Sequence, residues 1–451
     1  MKRNIISESW FKRRPRISID LNGQKEGSGS SYTTSDRIEG TATIIADRDT
    51  TFDNIKITFE GTTRVYIERP ASCPRGRDLA VLHNFLRIQH PLDTALLPNE
   101  RVFRKGQPVT IPFSFTIPDH LPSQSCEHPV DHDHVHQTHT RIPPTLKPSG
   151  IVSSDKSQIN DLSPTMCRID YFVKVTVQRE SVVEPLAARI KKVHLVPVHD
   201  DELPLVVCVD RKDYCWWKEA EIRRGMLRDK VGVLQMVASQ PGSMFVTPGC
   251  RASEVVSSVV TVHLRFDPVG DEPPPLLKCL RSKLKASTFY ASSPWTNIPS
   301  DSTMPRPRID PGLFERVIPV SSHCVASVKW TKHELDGGRH PNDPDTVLCP
   351  RGPKNAAVYY TACLVVPITL PQNRTFVPTF NSCFISRTYT LEIELCYHTT
   401  YVSMPTAVKV KVPLHIASSR RPKHDSFDLA ISSLPKGLTA QEPVLSVIPE
   451  Y

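Results

Sequence analysis

The chain has 451 residues with 42 prolines against 18 glycines, and proline breaks helix interiors, which argues against a helical or parallel α/β protein. A hydrophobic share of 39% with 23% charged is that of an ordinary globular protein, and the net charge of +9 favours phosphorylated or anionic partners. The 12 cysteines form no Cys-x-x-Cys pair, which excludes zinc-ribbon and dithiol-redox classes, and no apolar run reaches the roughly 20 residues that span a bilayer.

Near the start, Lys12-Arg13-Arg14-Pro15-Arg16 is a compact basic cluster at the mouth of a first strand, read from alternating Ile17, Ile19 and Leu21. Met1 to Trp10 lacks the apolar core of a signal peptide, and Cys208, Cys363 and Cys396 sit in apolar runs as reduced cysteines do. A cytoplasmic protein is expected. Strand patterns recur at Ile38-Gly40-Ala42-Ile44, Ile55-Ile57-Phe59 and Val65-Ile67, and Val109 to Ile117 puts Ile111, Phe113, Phe115 and Ile117 on one face. Ala80 to Ile88 is the best short helix candidate of this half, with a strand as the alternative.

Periodicity stops from His120 to Pro164, and a disordered His-rich loop is expected around 123–160. It holds His128, His132, His134, His136 and His139 beside Glu127, Asp131 and Asp133. Imidazoles and carboxylates at this density suit zinc, but no histidine spacing matches a ligand frame, so no metal site is expected. Tyr171-Val173-Val175-Val177 marks a firm strand, and Val193-Leu195 an exit strand.

A connector then divides the chain. Pro197 and Pro204 bracket His199-Asp200-Asp201-Glu202, a stiff acidic hinge in which Pro197, Asp200, Asp201 and Pro204 are the expected interdomain residues. In the second half Glu219 to Lys230 suggests a helical turn. Strand patterns follow at Val231 to Met236, Val260 to Phe266, Cys324 to Trp330, Tyr359 to Val366, Leu391 to Leu395 and Val408 to Ile416. Trp216-Trp217 reads as an exposed anchor or, more simply, as a cover for a domain end. Pro118…Pro122 and Pro367…Pro371 each close a β run with two prolines four residues apart, a faint echo between halves. No P-loop, His-Glu-x-x-His or Gly-x-Ser-x-Gly occurs, so neither an enzyme nor a cofactor is expected.

With these pieces in order, residues 10 to 417 resemble the fungal arrestin-like (α-arrestin) family. The first half contributes Asp36-x-Ile38-x-Gly40, Ile55-x-Ile57-x-Phe59-Glu60-Gly61, Phe113-x-Phe115-x-Ile117-Pro118-x-x-Leu121-Pro122, and Leu162-Ser163-Pro164 leading into Arg168-Ile169-x-Tyr171. The second contributes Val377-Pro378-Thr379-Phe380 followed by Ile385-Ser386-Arg387-x-Tyr389-x-Leu391. The resemblance implies an all-β protein of two antiparallel, immunoglobulin-like β-sandwiches, 10–198 and 203–417, joined by a short hinge and followed by a flexible tail over 418–451.

It also implies a non-enzymatic adaptor that binds cytoplasmic parts of plasma-membrane transporters or receptors and links them to endocytosis. The link would run through a HECT-type ubiquitin ligase with WW domains, with peripheral recruitment to the plasma membrane or endosomes, contact with acidic lipids and no nucleic acid. By analogy with the animal arrestins, Lys12, Arg13, Arg14 and Arg16 are expected to meet phosphate or an acidic partner. The family's Pro-Pro-x-Tyr ligase motif does not occur here; Pro449 and Tyr451 form a degenerate half of it. That departure keeps open an arrestin-like signalling or sorting scaffold with no direct ligase contact.

Overall fold

The computed structural model describes residues 14–23, 31–67, 79–98, 100–147, 162–179, 184–199, 214–224, 229–247, 256–306, 309–334, 358–399 and 402–419. Lys12, Arg13, Asp200, Asp201, Pro204, Pro449 and Tyr451 lie outside them.

The first body contains β1 (Arg16–Leu21), β2 (Ser31–Tyr32), β3 (Arg37–Ile45), β4 (Thr50–Thr51), β5 (Asn54–Ile67), β6 (Leu79–Gln89), β7 (Val102–Phe103) and β8 (Pro108–Thr116). A short helix, α1 (Asp133–His139), follows, then β9 (Cys167–Gln178) and β10 (Ala187–Leu195). The strands make a three-stranded sheet β1-β3-β8 and a five-stranded sheet β2-β10-β9-β5-β6, antiparallel except for a short parallel pairing of β2 with β10. Period-two sequence explains the sandwich. In β9 every second residue from Cys167 to Val177 is buried, and in β3 Ile38, Ala42 and Ile44 face the same core. Phe59 of β5 meets Phe115 of β8 across the layers, ring centroids 6.0 Å apart.

The second body contains β11 (Trp217–Arg223), β12 (Lys230–Ala238), β13 (Met244–Val246), β14 (Ser257–Pro268), β15 (Leu276–Tyr290) and β16 (Gly312–Cys324). It continues with β17 (Thr331–Glu334), β18 (Val358–Thr369), β19 (Phe380–Asn381), β20 (Ile385–Thr399), β21 (Val402–Leu414) and β22 (Ile416–Ser418). One sheet runs β11-β12-β14-β18-β17, the other β16-β15-β20-β19 with β21 also on β20. Between them lies a second core in which Leu264, Leu284, Leu364, Leu391 and Val410 are all buried. The protein is therefore an all-β pair of antiparallel sandwiches.

Five local expectations change. Ala80 to Ile88 is strand: β6 pairs with β5, and a bulge opposite Gly61 and Thr62 leaves Phe85 as an extra residue, so Phe85 and Leu86 both bury and the alternation is lost. Glu219 to Lys230 gives no helical turn where it is described, because β11 pairs along β12 through Arg223. Cys324 to Trp330 is mostly irregular, since β16 ends at Cys324. The His-rich span expected to be disordered instead carries a 3-10 turn at Ser123–Cys126 and then α1, anchored by the buried side chains of Cys126, Val135 and His139. The expected tail begins later, since Ser418 still belongs to β22; residues 420–451 are outside the described set.

The glycine in Phe59-Glu60-Gly61 has a steric reason. A Cβ on Gly61 would stand 2.6 Å from the Phe85 ring and 2.9 Å from that of Tyr171, closer than packed atoms allow. Tyr171 has little room to yield, being wholly buried with its hydroxyl donating to the Pro143 carbonyl at 2.6 Å. Gly61→Ala is expected to cost about 1–3 kcal/mol of unfolding free energy by overpacking. Denaturant titration measures it, and an unchanged midpoint would mean that these rings are loosely held.

Candidate functional site

Two places gather chemistry: an open strand edge in the first body, and the seam between the bodies.

β1 hydrogen-bonds only to β3 among the described strands, so its other edge is paired with no described strand. Arg16 opens the strand and Arg14 precedes it, so this half of the predicted basic cluster lies at that edge. Both are well exposed; Arg16 reaches Asp47 at 3.2 Å and Arg14 reaches Glu184 at 3.6 Å. Nearby β10 contributes Arg189, Lys191 and Lys192, with Ile190 48% exposed among them. Only Lys192 of these three has an ion-pair partner among the described residues, Asp170 at 4.0 Å. The sequence reading missed this second basic strip, although Arg189-Ile190-Lys191-Lys192 is visible as a run.

The seam is packed rather than merely hinged. Tyr290, Val377, Phe380, Phe384 and Ile385 of the second body are buried in the core cluster of the first, whereas Leu162, from the first half, joins the core of the second. His83 and Phe384 lie ring against ring at 5.0 Å. The Thr296 carbonyl accepts from the Asp131 backbone amide at 2.8 Å. Pro197, the described hinge residue, offers its carbonyl to the Ser418 hydroxyl.

Arg387 joins the two quoted motifs. It is fully buried on β20, and its Nη2 donates to Ser163 Oγ at 3.0 Å and to the Leu162 carbonyl at 3.3 Å. Leu162 adopts φ of 62°, an uncommon left-handed backbone for a residue with a Cβ, at this point of contact. Both bonds leave the one Nη2 nitrogen, so this end of the guanidinium carries the tie between the motifs.

Beside Arg387's strand a second group converges. Cys126 Sγ, His128, His139 and Cys383 Sγ each offer one donor atom, all within 4.8 Å of one another. Cys126 Sγ is 3.3 Å from His128 Nε2 and 3.7 Å from His139 Nδ1. Burial pushes both thiols up, Cys383 strongly so with Cys126 adding to it. Burial, with His128 and His136 beside it, lowers His139 to about 4. Of the five histidines singled out in the sequence, only His128 and His139 enter this cluster; His132 and His134 stack on each other at 5.5 Å. Sequence spacing missed the other two members: Cys126 lies just two residues before His128, and Cys383 is more than 240 residues away along the chain.

Two results are expected from the seam and its surroundings. Arg387→Ala removes two hydrogen bonds to a buried cation and leaves a void, and should lower unfolding free energy by about 3 kcal/mol. Denaturant titration decides, with no loss counting against Arg387 as a tie. The second concerns pH. Burial and the Lys147 charge lower His194 to about 4. Burial, Arg141 and His120 do the same to His199, against a smaller raising pull from the Ile142 backbone and Asp119. The unfolded chain would protonate both near 6.5, so it binds more protons than the folded one between that value and about 4, and stability falls as pH drops through this window. Stability measured from pH 6.5 to 5 should fall less steeply in the His194→Gln/His199→Gln double variant; identical slopes would contradict these assignments.

Compared with known proteins, residues 18–202 match the profile of the arrestin (or S-antigen) N-terminal domain. No curated protein matches the chain. Among the described residues no helix is long and apolar enough to cross a membrane. The matched stretch covers the first sandwich, from its open edge strand to the exit towards the second body. The first sandwich, residues 18–202, is thus identified as an arrestin N-terminal domain.

Proposed function

We propose that this protein is a non-enzymatic cytoplasmic adaptor that takes an extended, acidic or phosphorylated cytoplasmic segment of a plasma-membrane transporter or receptor along the open edge of β1. The observation that carries the reading is that edge. An edge strand of an arrestin N-terminal domain carries Arg14 and Arg16 at its start, with Arg189, Lys191 and Lys192 on the neighbouring β10. Strand addition supplies backbone hydrogen bonds to any extended peptide, and the basic side chains select an acidic one. Arginine's forked donors suit phosphate in two-point contact. The same positive strip suits peripheral contact with acidic lipids once cargo has brought the protein to a membrane.

Downstream, the adaptor links its cargo to ubiquitin-ligase-dependent endocytosis, with Pro449 and Tyr451 as the ligase-facing half-motif. A second reading is a signalling or sorting scaffold that makes no direct ligase contact; the lack of any Pro-Pro-x-Tyr in the sequence favours it.

One set of pull-downs separates these. Replacing Arg189, Lys191 and Lys192 by glutamate should cut capture of a phosphorylated transporter-tail peptide by about tenfold or more, and added salt should weaken the unmodified protein's binding. Binding unaffected by charge reversal would overturn the edge as the cargo site. In the same assay, Tyr451→Ala should abolish capture of a WW-domain ligase if the adaptor reading holds. A ligase captured equally well by both proteins would remove the half-motif, and no capture by either would leave the scaffold reading.

A further inference from the structure

We infer that Cys126, His128, His139 and Cys383 form a structural zinc site that staples the two bodies together. Their four donor atoms lie within 4.8 Å of one another. A tetrahedral zinc with bonds of about 2.3 Å to sulfur and about 2.05 Å to nitrogen sets sulfur–nitrogen edges near 3.6 Å. The Cys126–His128 and Cys126–His139 edges, at 3.3 and 3.7 Å, straddle that value.

Three further features match the chemistry. Two thiolates and two imidazoles are a preferred zinc set, and softer than the carboxylate oxygens that suit magnesium or calcium. His128 is oriented by its own backbone neighbourhood: Nδ1 lies 3.0 Å from the Pro129 carbonyl, the partner that leaves Nε2 as the ligating nitrogen. The set is enclosed, with Cys126, His139 and Cys383 buried and His128 partly so, and its four protein donors leave no coordination position for substrate, as structural rather than catalytic sites require.

The placement gives the site a purpose. Cys126 ends a 3-10 turn and His139 ends a seven-residue helix, elements too short to persist by their own hydrogen bonding. A metal holding both would fix the segment in place. Cys383 comes from the second body, in the link between β19 and β20, with its Sγ 3.8 Å from the Ser125 carbonyl. Zinc would therefore tie three donors of one sandwich to a fourth from the other and lock the seam where Phe384 and Ile385 enter the first core.

The test uses the full chain with any histidine tag removed. Metal analysis after expression in zinc-supplemented medium should find about one zinc per chain. His128→Ala, the variant least disruptive to packing, should lose it. Cobalt exchanged into the unmodified protein should give the intense visible bands of a tetrahedral site with a thiolate charge-transfer band, a readout independent of any variant's folding. Chelator treatment should lower the melting temperature, and added zinc should restore it. Unmodified protein that retains no zinc above background and gives no tetrahedral cobalt spectrum would overturn the site. Zinc retained equally by unmodified protein and by His128→Ala and Cys383→Ser would place the metal elsewhere and also overturn it.

Discussion

The arrangement of this protein depends on an exchange of residues across the seam. Phe384 and Ile385 bury into the first sandwich, Leu162 buries into the second, and Arg387 bridges them by donating to Leu162 and Ser163. Two sandwiches joined only by a strand-to-strand connector would swing freely, because a single covalent link fixes little orientation. Apolar burial on both sides, with a buried cation donating across, makes separation costly: each moved group would have to be rehydrated or left unpaired. The chain thus presents its surfaces at a fixed mutual angle, a condition that the proposed adaptor role requires.

Much of this was legible in the sequence. Strict alternation in Tyr171-Val173-Val175-Val177 and in Ile38-Gly40-Ala42-Ile44 can bury only one face of a sheet, and proline abundance argued against a helical protein. Motif glycines came with a reason only when the fold was in hand: Gly61 stands where the Phe85 and Tyr171 rings close over the strand. Illegible segments were those where tertiary contacts override local period. The bulge in β6 buries neighbours Phe85 and Leu86 together and mimics a helical pattern. β15 buries Leu277, Leu280 and Leu284 between lysines and arginines, with a bulge between Leu277 and Cys279 that shifts the phase.

The site was half legible. Arg14 and Arg16 stand where the basic run predicted, at the mouth of β1, but the companion strip on β10 gained its meaning from being brought beside β1. For the cysteine–histidine cluster the obstacle was distance along the chain. His128 and His139 were visible as part of a dense histidine span, yet density alone picks out His132 and His134 equally, and these point to each other instead. Cys383 carries no local mark in the sequence. Only the seam selects it.

Calorimetric unfolding of the whole chain tests the packed seam most directly. A single cooperative transition, with van't Hoff and calorimetric enthalpies equal, is the outcome expected if the exchanged residues make the two sandwiches one unit. Two resolved transitions, each the size of one sandwich, would show that the bodies unfold independently and that the seam does not hold them.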